Sequence, residues 1–284
     1  MREPMTERAV LITGCSSGIG RCLADGLKSR GYRVFATARK AEDVAALADA
    51  GFDAVTLDLA SSESIAAAVA SVLSRSGNRL YALINNAGFG QPGAVEDLTR
   101  PALAAQFEAN VFGPHELTAR LLPVFRAQNA GRIVQISSLL GLVCMPYRGA
   151  YNASKFALEA LSDTLRLELR GTGIQVSLIE PGPIATDFRA NARAAYEAHI
   201  DSAGSAHRTQ YSAVERRLKT HGPAPFTLPP TAVLHKVIHA LESPRPRARY
   251  PVTVPAHLFT WLRRILPTRA LDRLILTISA GGTR

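Results

Sequence analysis

The apolar positions of this chain fall into short runs that alternate with stretches of helical period. Residues 8–13 form an apolar run; the spacing then becomes helical through Arg30, and Gly31 closes it. Similar runs recur at 32–38, 53–57, 80–84, 131–137 and 173–179. Helical patterns lie between them at 41–50, 61–75, 101–128 and from Tyr151 to about residue 170. Ser61, with Ser64 three residues on and Glu63 in the first turn, predicts a helix N-cap. Pro101 opens the long stretch, and Gly113-Pro114 predicts an interruption in it. This alternation predicts an α/β fold, a single Rossmann-type doubly wound parallel sheet of about seven strands flanked by helices.

After Thr186 the pattern loosens. Residues 187–230 are rich in Ala, Arg, His and Pro, with helical fragments and no clear strand, which suits a lid. A helix from about residue 230 to 241, an edge strand at 248–254 and amphipathic helices at 256–266 and 268–278 complete the chain. The expected organisation is one domain over 1–284. Residues 8–186 form its cofactor-binding and catalytic core, and 187–284 a substrate lid and C-terminal extension.

Of 284 residues, 47% are hydrophobic and 20% charged, the balance of a soluble globular protein with a large core. Cys15, Cys22 and Cys144 suggest neither a disulfide framework nor a zinc site. His235 and His239 are spaced i,i+4 without a third ligand nearby, so no metal is expected. The polar N-terminus lacks the apolar region of a signal peptide, no run of 18 apolar residues occurs, and a cytoplasmic location is expected. The net charge is +10, and no nucleic-acid partner is expected. Residues 245–284 hold eight arginines against Asp272 alone. That segment is either a solvated face or a surface for an acidic partner or an anionic membrane. Leu258, Phe259, Trp261, Leu262, Ile265 and Leu266 within it either contact lipid, cover the core or form a subunit contact.

Candidate chemistry clusters at strand ends, where doubly wound sheets bind ligands. Thr13-Gly14-Cys15-Ser16-Ser17-Gly18-Ile19-Gly20 joins the first strand to the first helix. Gly14 permits a tight turn, Gly18 lets the backbone approach a phosphate, and Gly20 lets helix and strand pack closely. The helix N-terminus offers N–H groups to a pyrophosphate, and Ser16 and Ser17 add hydroxyls. The second strand ends in Arg39-Lys40 with no acid, so a cation is available to a 2′-phosphate. NADP(H) is predicted over NAD(H). Tyr151 and Lys155 are spaced i,i+4 on one helical face, with Ser138 thirteen residues before the tyrosine. A nearby ammonium favours a phenolate, so the trio reads as a proton donor and acceptor beside a hydroxyl donor.

With Asn85-Asn86-Ala87-Gly88, Asn110 and Pro181-Gly182 in order, these motifs resemble the short-chain dehydrogenase/reductase family over residues 8 to about 188. The strand ending Phe35-Ala-Thr-Ala-Arg39 and the segment Arg249-Tyr-Pro-Val252 resemble its hydroxysteroid and retinol dehydrogenase branch. The resemblance implies hydride transfer between NADP(H) and a carbonyl or alcohol, with Tyr151 as general acid/base and Ser138 polarising the oxygen. It implies that Lys155 tunes Tyr151 and holds the nicotinamide ribose, and that Asn110 anchors a water linking Lys155 to solvent. It implies adenine contacts from Asp58 and Leu59, ribose contacts from Asn85, Ala87 and Gly88, and nicotinamide contacts from Pro181, Gly182, Ile184 and Thr186. Dimers are common in the family, and a homodimer is expected. Leu139, Leu140, Cys144, Met145, Pro146, Tyr147 and Pro183 would frame a mostly apolar pocket under the lid, where His221 also lies. That favours a hydrophobic ketone, aldehyde or alcohol of steroid, retinoid or aliphatic type. A non-catalytic NADP(H)-binding sensor or scaffold of the same fold is the contrasting reading.

Overall fold

The computed structural model describes residues 8–220, 222 and 224–281. Seven parallel strands run β1 (Ala9–Ile12), β2 (Arg33–Ala38), β3 (Asp53–Thr56), β4 (Ala82–Asn85), β5 (Gly131–Ile136), β6 (Ile174–Glu180) and β7 (Arg249–Pro251). Their order in the sheet is β3-β2-β1-β4-β5-β6-β7, so the winding reverses between β1 and β4. Successive side chains of a strand point to opposite faces. On β1, accordingly, Val10 and Ile12 join one core while Ala9 and Leu11 join the other. The first core is closed by α1 (Gly18–Ser29), α2 (Ala41–Asp49) and α9 (Thr231–Glu242). The second is closed by α3 (Ser62–Arg75), α5 (Gly113–Gln128) and α6 (Gly149–Glu168), with α4 (Arg100–Phe107) preceding α5. Ser61 caps α3 as predicted, accepting the Ser64 N–H at 3.1 Å.

The long helical stretch breaks earlier than Gly113-Pro114 suggested. A π-turn at Glu108–Phe112 separates α4 from α5 and carries Asn110. Pro114 has no N–H to return to the Asn110 carbonyl, which removes one α-helical bond at that point. Gly113 follows, and a β-carbon there would lie 2.2 Å from the Leu59 carbonyl oxygen.

The loosely patterned region folds into α7 (Phe188–His199) and α8 (Arg208–Lys219). They pack on Ala94 and Tyr147 through Tyr196, Tyr211, Val214 and Leu218. The predicted strand at 248–254 shortens to β7 because Thr253 starts a helix, accepting the Ala256 N–H. β7 lies at the sheet edge, where Pro251 costs no ladder bond. The C-terminal helices α10 (Val254–Ile265) and α11 (Thr268–Gly281) pack through Ala256, Phe259 and Ile275 on Leu139 and Val143.

Candidate active site

The Gly-rich turn has the shape of a phosphate cradle. Gly14 and Gly18 adopt φ of +71° and +58°, a region costly for other residues. A β-carbon on Gly20 would stand 1.9 Å from the Gly14 carbonyl oxygen, so only glycine lets α1 meet β1 this closely. The Ser17 side chain makes no cap hydrogen bond, and no acid stands in the first turn of α1. Those N–H groups therefore face outward with a positive helix end and no protein carboxylate in competition. These observations fit a dinucleotide pyrophosphate. Thr186 closes the far side of the turn, 3.2 Å from where a Gly18 β-carbon would lie.

Asn86 holds this cradle to β4. Its amide donates to the carbonyls of Thr13 at 2.8 Å and Gly14 at 3.1 Å, while Thr13 Oγ1 accepts the N–H groups of Asn86 and Ala87. Asn85 turns the other way, into the core, and donates to Thr118 Oγ1 at 3.0 Å. Asp58 accepts the Ala60 N–H and Leu59 is buried, which fixes the loop after β3. Arg39 and Lys40 are exposed where β2 ends. Gly182 lies against Thr253, and Ile184 bridges to Leu228.

Ser138 follows β5 and caps a short turn, its Oγ accepting the Leu140 N–H at 3.1 Å. Tyr151 lies in the first turn of α6, with the Ser138 side chain close enough to act on its phenol. Burial pushes the Tyr151 phenol above its ordinary value, outweighing the Ser138 hydrogen bond and the Arg148 charge. The expected depression by Lys155 is not met: the Lys155 ammonium stands 5.8 Å from the Tyr151 ring centre and donates to the Ile136 carbonyl at 2.8 Å. Burial also pushes Lys155 down to about 8, against the pull of Glu159.

Asn110 ties this face to the loop after β4. Its Oδ1 accepts the Phe89 N–H at 3.1 Å, and its Nδ2 donates to the Phe89 carbonyl and to Ser154 Oγ at 3.1 Å. Ser154 in turn donates to the Tyr151 carbonyl at 2.9 Å. The Asn110 side chain is thus spent on structure, and its carbonyl lacks the Pro114 N–H that an α-helix would offer it.

The expected substrate wall divides. Leu140 is buried next to Ser138, whereas Met145 packs toward α10 and α11. Tyr147, at φ +59°, stacks with His207 and Tyr211 of the lid. Pro183 accepts the Leu228 N–H. Phe188, which sequence reasoning missed, covers Tyr151 with ring centres 5.4 Å apart. Also missed was a buried ion cluster behind Lys155: Arg249 donates to Glu159, Asp163 and Glu180. His221 lies outside the described residues. His239 bonds Tyr250, and no metal-ligating cluster occurs among the described residues.

Comparison with known proteins decides the family. The model of the short chain dehydrogenase family matches residues 8–197. The chain belongs to the short-chain dehydrogenase/reductase family. Within that family it is 45% identical over 270 residues to the uncharacterized oxidoreductase YbbO of Escherichia coli K12, covering 95% of this chain and 94% of that one. The NADPH-dependent 3-dehydrocapnine reductase of Ornithobacterium rhinotracheale is 32% identical, over 94% and 95% of the two chains. Mouse retinol dehydrogenase 16 is 35% identical, over 95% and 88%. A solved short-chain dehydrogenase/reductase from Burkholderia phymatum in complex with NAD superposes with a TM-score of 0.76 at 28% identity, covering 91% and 92%. The protein is accordingly an oxidoreductase of the short-chain dehydrogenase/reductase family with a nicotinamide-nucleotide fold.

Proposed function

We propose that the protein is an NADP(H)-dependent oxidoreductase that interconverts a hydrophobic ketone or aldehyde with its alcohol. The observation that carries this reading is the gathering of Ser138, the buried Tyr151 phenol and Lys155 at the end of β5, in a fold whose Gly-rich turn leaves the N-terminus of α1 uncapped. The bound nicotinamide supplies or accepts the hydride. Gly14, Ser16, Ser17, Gly18, Ile19 and Gly20 would hold the pyrophosphate, and the Arg39 guanidinium would donate to the 2′-phosphate. Asp58 and Leu59 flank the adenine. Ala87 and Gly88 would border the ribose, whereas the Asn85 side chain, expected there too, is held in the core by Thr118. Pro181, Gly182, Ile184 and Thr186 border the nicotinamide. Ser138 orients the carbonyl oxygen, and Tyr151, held protonated at neutral pH by burial, delivers its proton. Lys155 and the Asn110 carbonyl restore that proton through water. Leu140, Pro183 and Phe188 favour an apolar substrate body of steroid, retinoid or aliphatic type, and the relation to a retinol dehydrogenase supports this class.

Residues 187–284 act as substrate lid and C-terminal extension. Val254, Leu258, Trp261 and Ile265 form one outward stripe on α10, with Trp261 62% and Ile265 71% exposed. Arg264 and Arg269 beside it are exposed cations that suit an anionic membrane surface and would repel their copies across a twofold contact. Liposome flotation of wild type against Trp261→Glu/Ile265→Glu tests this, and equal flotation dismisses it. We assign a homodimer joined through the outer faces of the π-turn, α5 and α6, where Phe112, Leu161 and Leu167 are exposed. Free cysteines suit a reducing cytoplasm.

A panel of hydrophobic ketones and aldehydes with NADPH tests the main reading. Turnover of none of them, with NADPH bound, would favour a sensor or scaffold.

A further inference from the structure

Three arginines from three separate elements lie around the contact of Phe188 with Tyr151. Arg148 caps α6, three residues before Tyr151 on the same helical side. The left-handed Tyr147 before it turns the chain inward, its carbonyl accepting the Gly93 N–H at 3.0 Å. Arg189 opens α7 directly after Phe188, the ring that covers Tyr151. Its Nη1 donates to the carbonyls of Thr220 at 2.7 Å and Gly222 at 3.2 Å, which ties it to the end of α8. Arg217 lies on that last turn of α8.

No carboxylate among the described residues pairs with these charges. Among the described residues none of the three makes an ion pair, and Arg148 Nε is buried without a hydrogen-bond partner. Most acids near the lid are engaged elsewhere, and Asp187 at the start of α7 is exposed and pairs with none of the three. Glu197 takes Arg193, Glu215 takes the Tyr196 and Ser202 hydroxyls, Asp97 takes Ser205 and Tyr211, and Glu96 takes His207. The three guanidinium groups therefore act on one another. Burial and then the Arg217 charge push Arg148 down to about 9, and burial and the Arg189 charge lower Arg217. Like charges gathered in a half-buried site without a counter-charge raise the energy of the empty protein. The same guanidinium forks match an oxoanion bidentately.

We propose that Arg148, Arg189 and Arg217 form a receptor for an oxoanion carried by the carbonyl substrate a few bonds from the carbonyl: a carboxylate, sulfonate or phosphate on an otherwise apolar molecule. This rests on the reductase reading above and narrows its substrate class from neutral ketones to anionic amphiphiles. The cofactor's phosphates belong to the Gly-rich turn and Arg39, on the opposite side of the site from the Tyr147–Arg148 turn.

The test compares 4-oxododecanoate with its methyl ester, which differ in the anion alone. One hydrogen bond to a charged group is worth about 1.5–3 kcal/mol, or at least about tenfold. With NADPH, kcat/KM for the acid should exceed that for the ester by at least about tenfold, carried by KM. Arg217→Gln, and independently Arg148→Gln, should bring that ratio close to one. Calorimetric titration of both compounds into the NADP-loaded protein reads the same preference without turnover. Arginine-dependent binding of the acid with reduction of neither compound would sustain the anion receptor and sink the reductase reading. Reduction of the ester as efficiently as the acid would do the reverse. A ratio unmoved by both substitutions, or a tenfold loss of NADPH affinity in them, would also overturn the receptor.

Discussion

Lys155 and Glu159 stand one turn apart on α6, both buried, so that an ammonium and a carboxyl share the space behind Ser138. Burial pushes Glu159 up to about 7 from 4.5, with Ser137 and Arg249 opposing, and pushes Lys155 down to about 8 from 10.5. A carboxyl raised on folding stabilises fully below pH 4.5, and that contribution is lost as the pH rises toward 7. A lysine lowered on folding stabilises fully above pH 10.5, and that contribution is lost as the pH falls toward 8. The pair therefore contributes least between the two folded values. Thermal melts of cofactor-free protein should show wild type losing more stability than Glu159→Gln between about pH 5 and about pH 7. Parallel losses would contradict this.

Arg249 makes the same cluster costly to break. Its guanidinium serves Glu159, Asp163 and the fully buried Glu180, and it fastens β7 to β6 and α6. Arg249→Met leaves two buried carboxyls without a cation, which should cost about 3–5 kcal/mol in urea unfolding. A loss under about 1 kcal/mol would show the pairs to be solvent-screened.

Gly113 sets the approach of α5 to the loop after β3. Alanine there would place its β-carbon 2.2 Å from the Leu59 carbonyl oxygen, backbone that cannot swing aside. Gly113→Ala should destabilise by about 1–3 kcal/mol and, with Leu59 at the proposed adenine site, raise the KM for cofactor. Unchanged stability and KM would show that the loop is free to shift.

Arg39 stands exposed at the end of β2 without a carboxylate partner among the described residues. Wild type should favour NADP(H) over NAD(H) in kcat/KM, and Arg39→Asp should reverse the preference by repelling the 2′-phosphate and accepting from the ribose hydroxyls. A wild type that uses NAD(H) equally well would dismiss the assignment.

The sheet was legible because strand runs and Gly-rich ends are local: residues 9–12 to 20 and the Tyr151–Lys155 spacing state their geometry within a few positions. The π-turn at Asn110 was less so, since Gly113-Pro114 marks a break but not which residues it unwinds. The lid helices lacked strong apolar runs because they bury tyrosines and short side chains on one face only. Phe188 over Tyr151, the Arg249 cluster and the convergence of Arg148, Arg189 and Arg217 join residues up to 90 positions apart. Single residues of that kind carry no pattern until the chain has folded.

The central claim is that Tyr151 transfers the substrate proton. It is tested most directly by single-turnover reduction of a hydrophobic ketone by NADPH in wild type and Tyr151→Phe, with NADPH affinity measured alongside. The account predicts a fall of about 10²–10⁴-fold in the reduction rate, with NADPH affinity retained. Reduction by Tyr151→Phe within a factor of about three of wild type, with NADPH bound equally well, would place the proton donor elsewhere and contradict it.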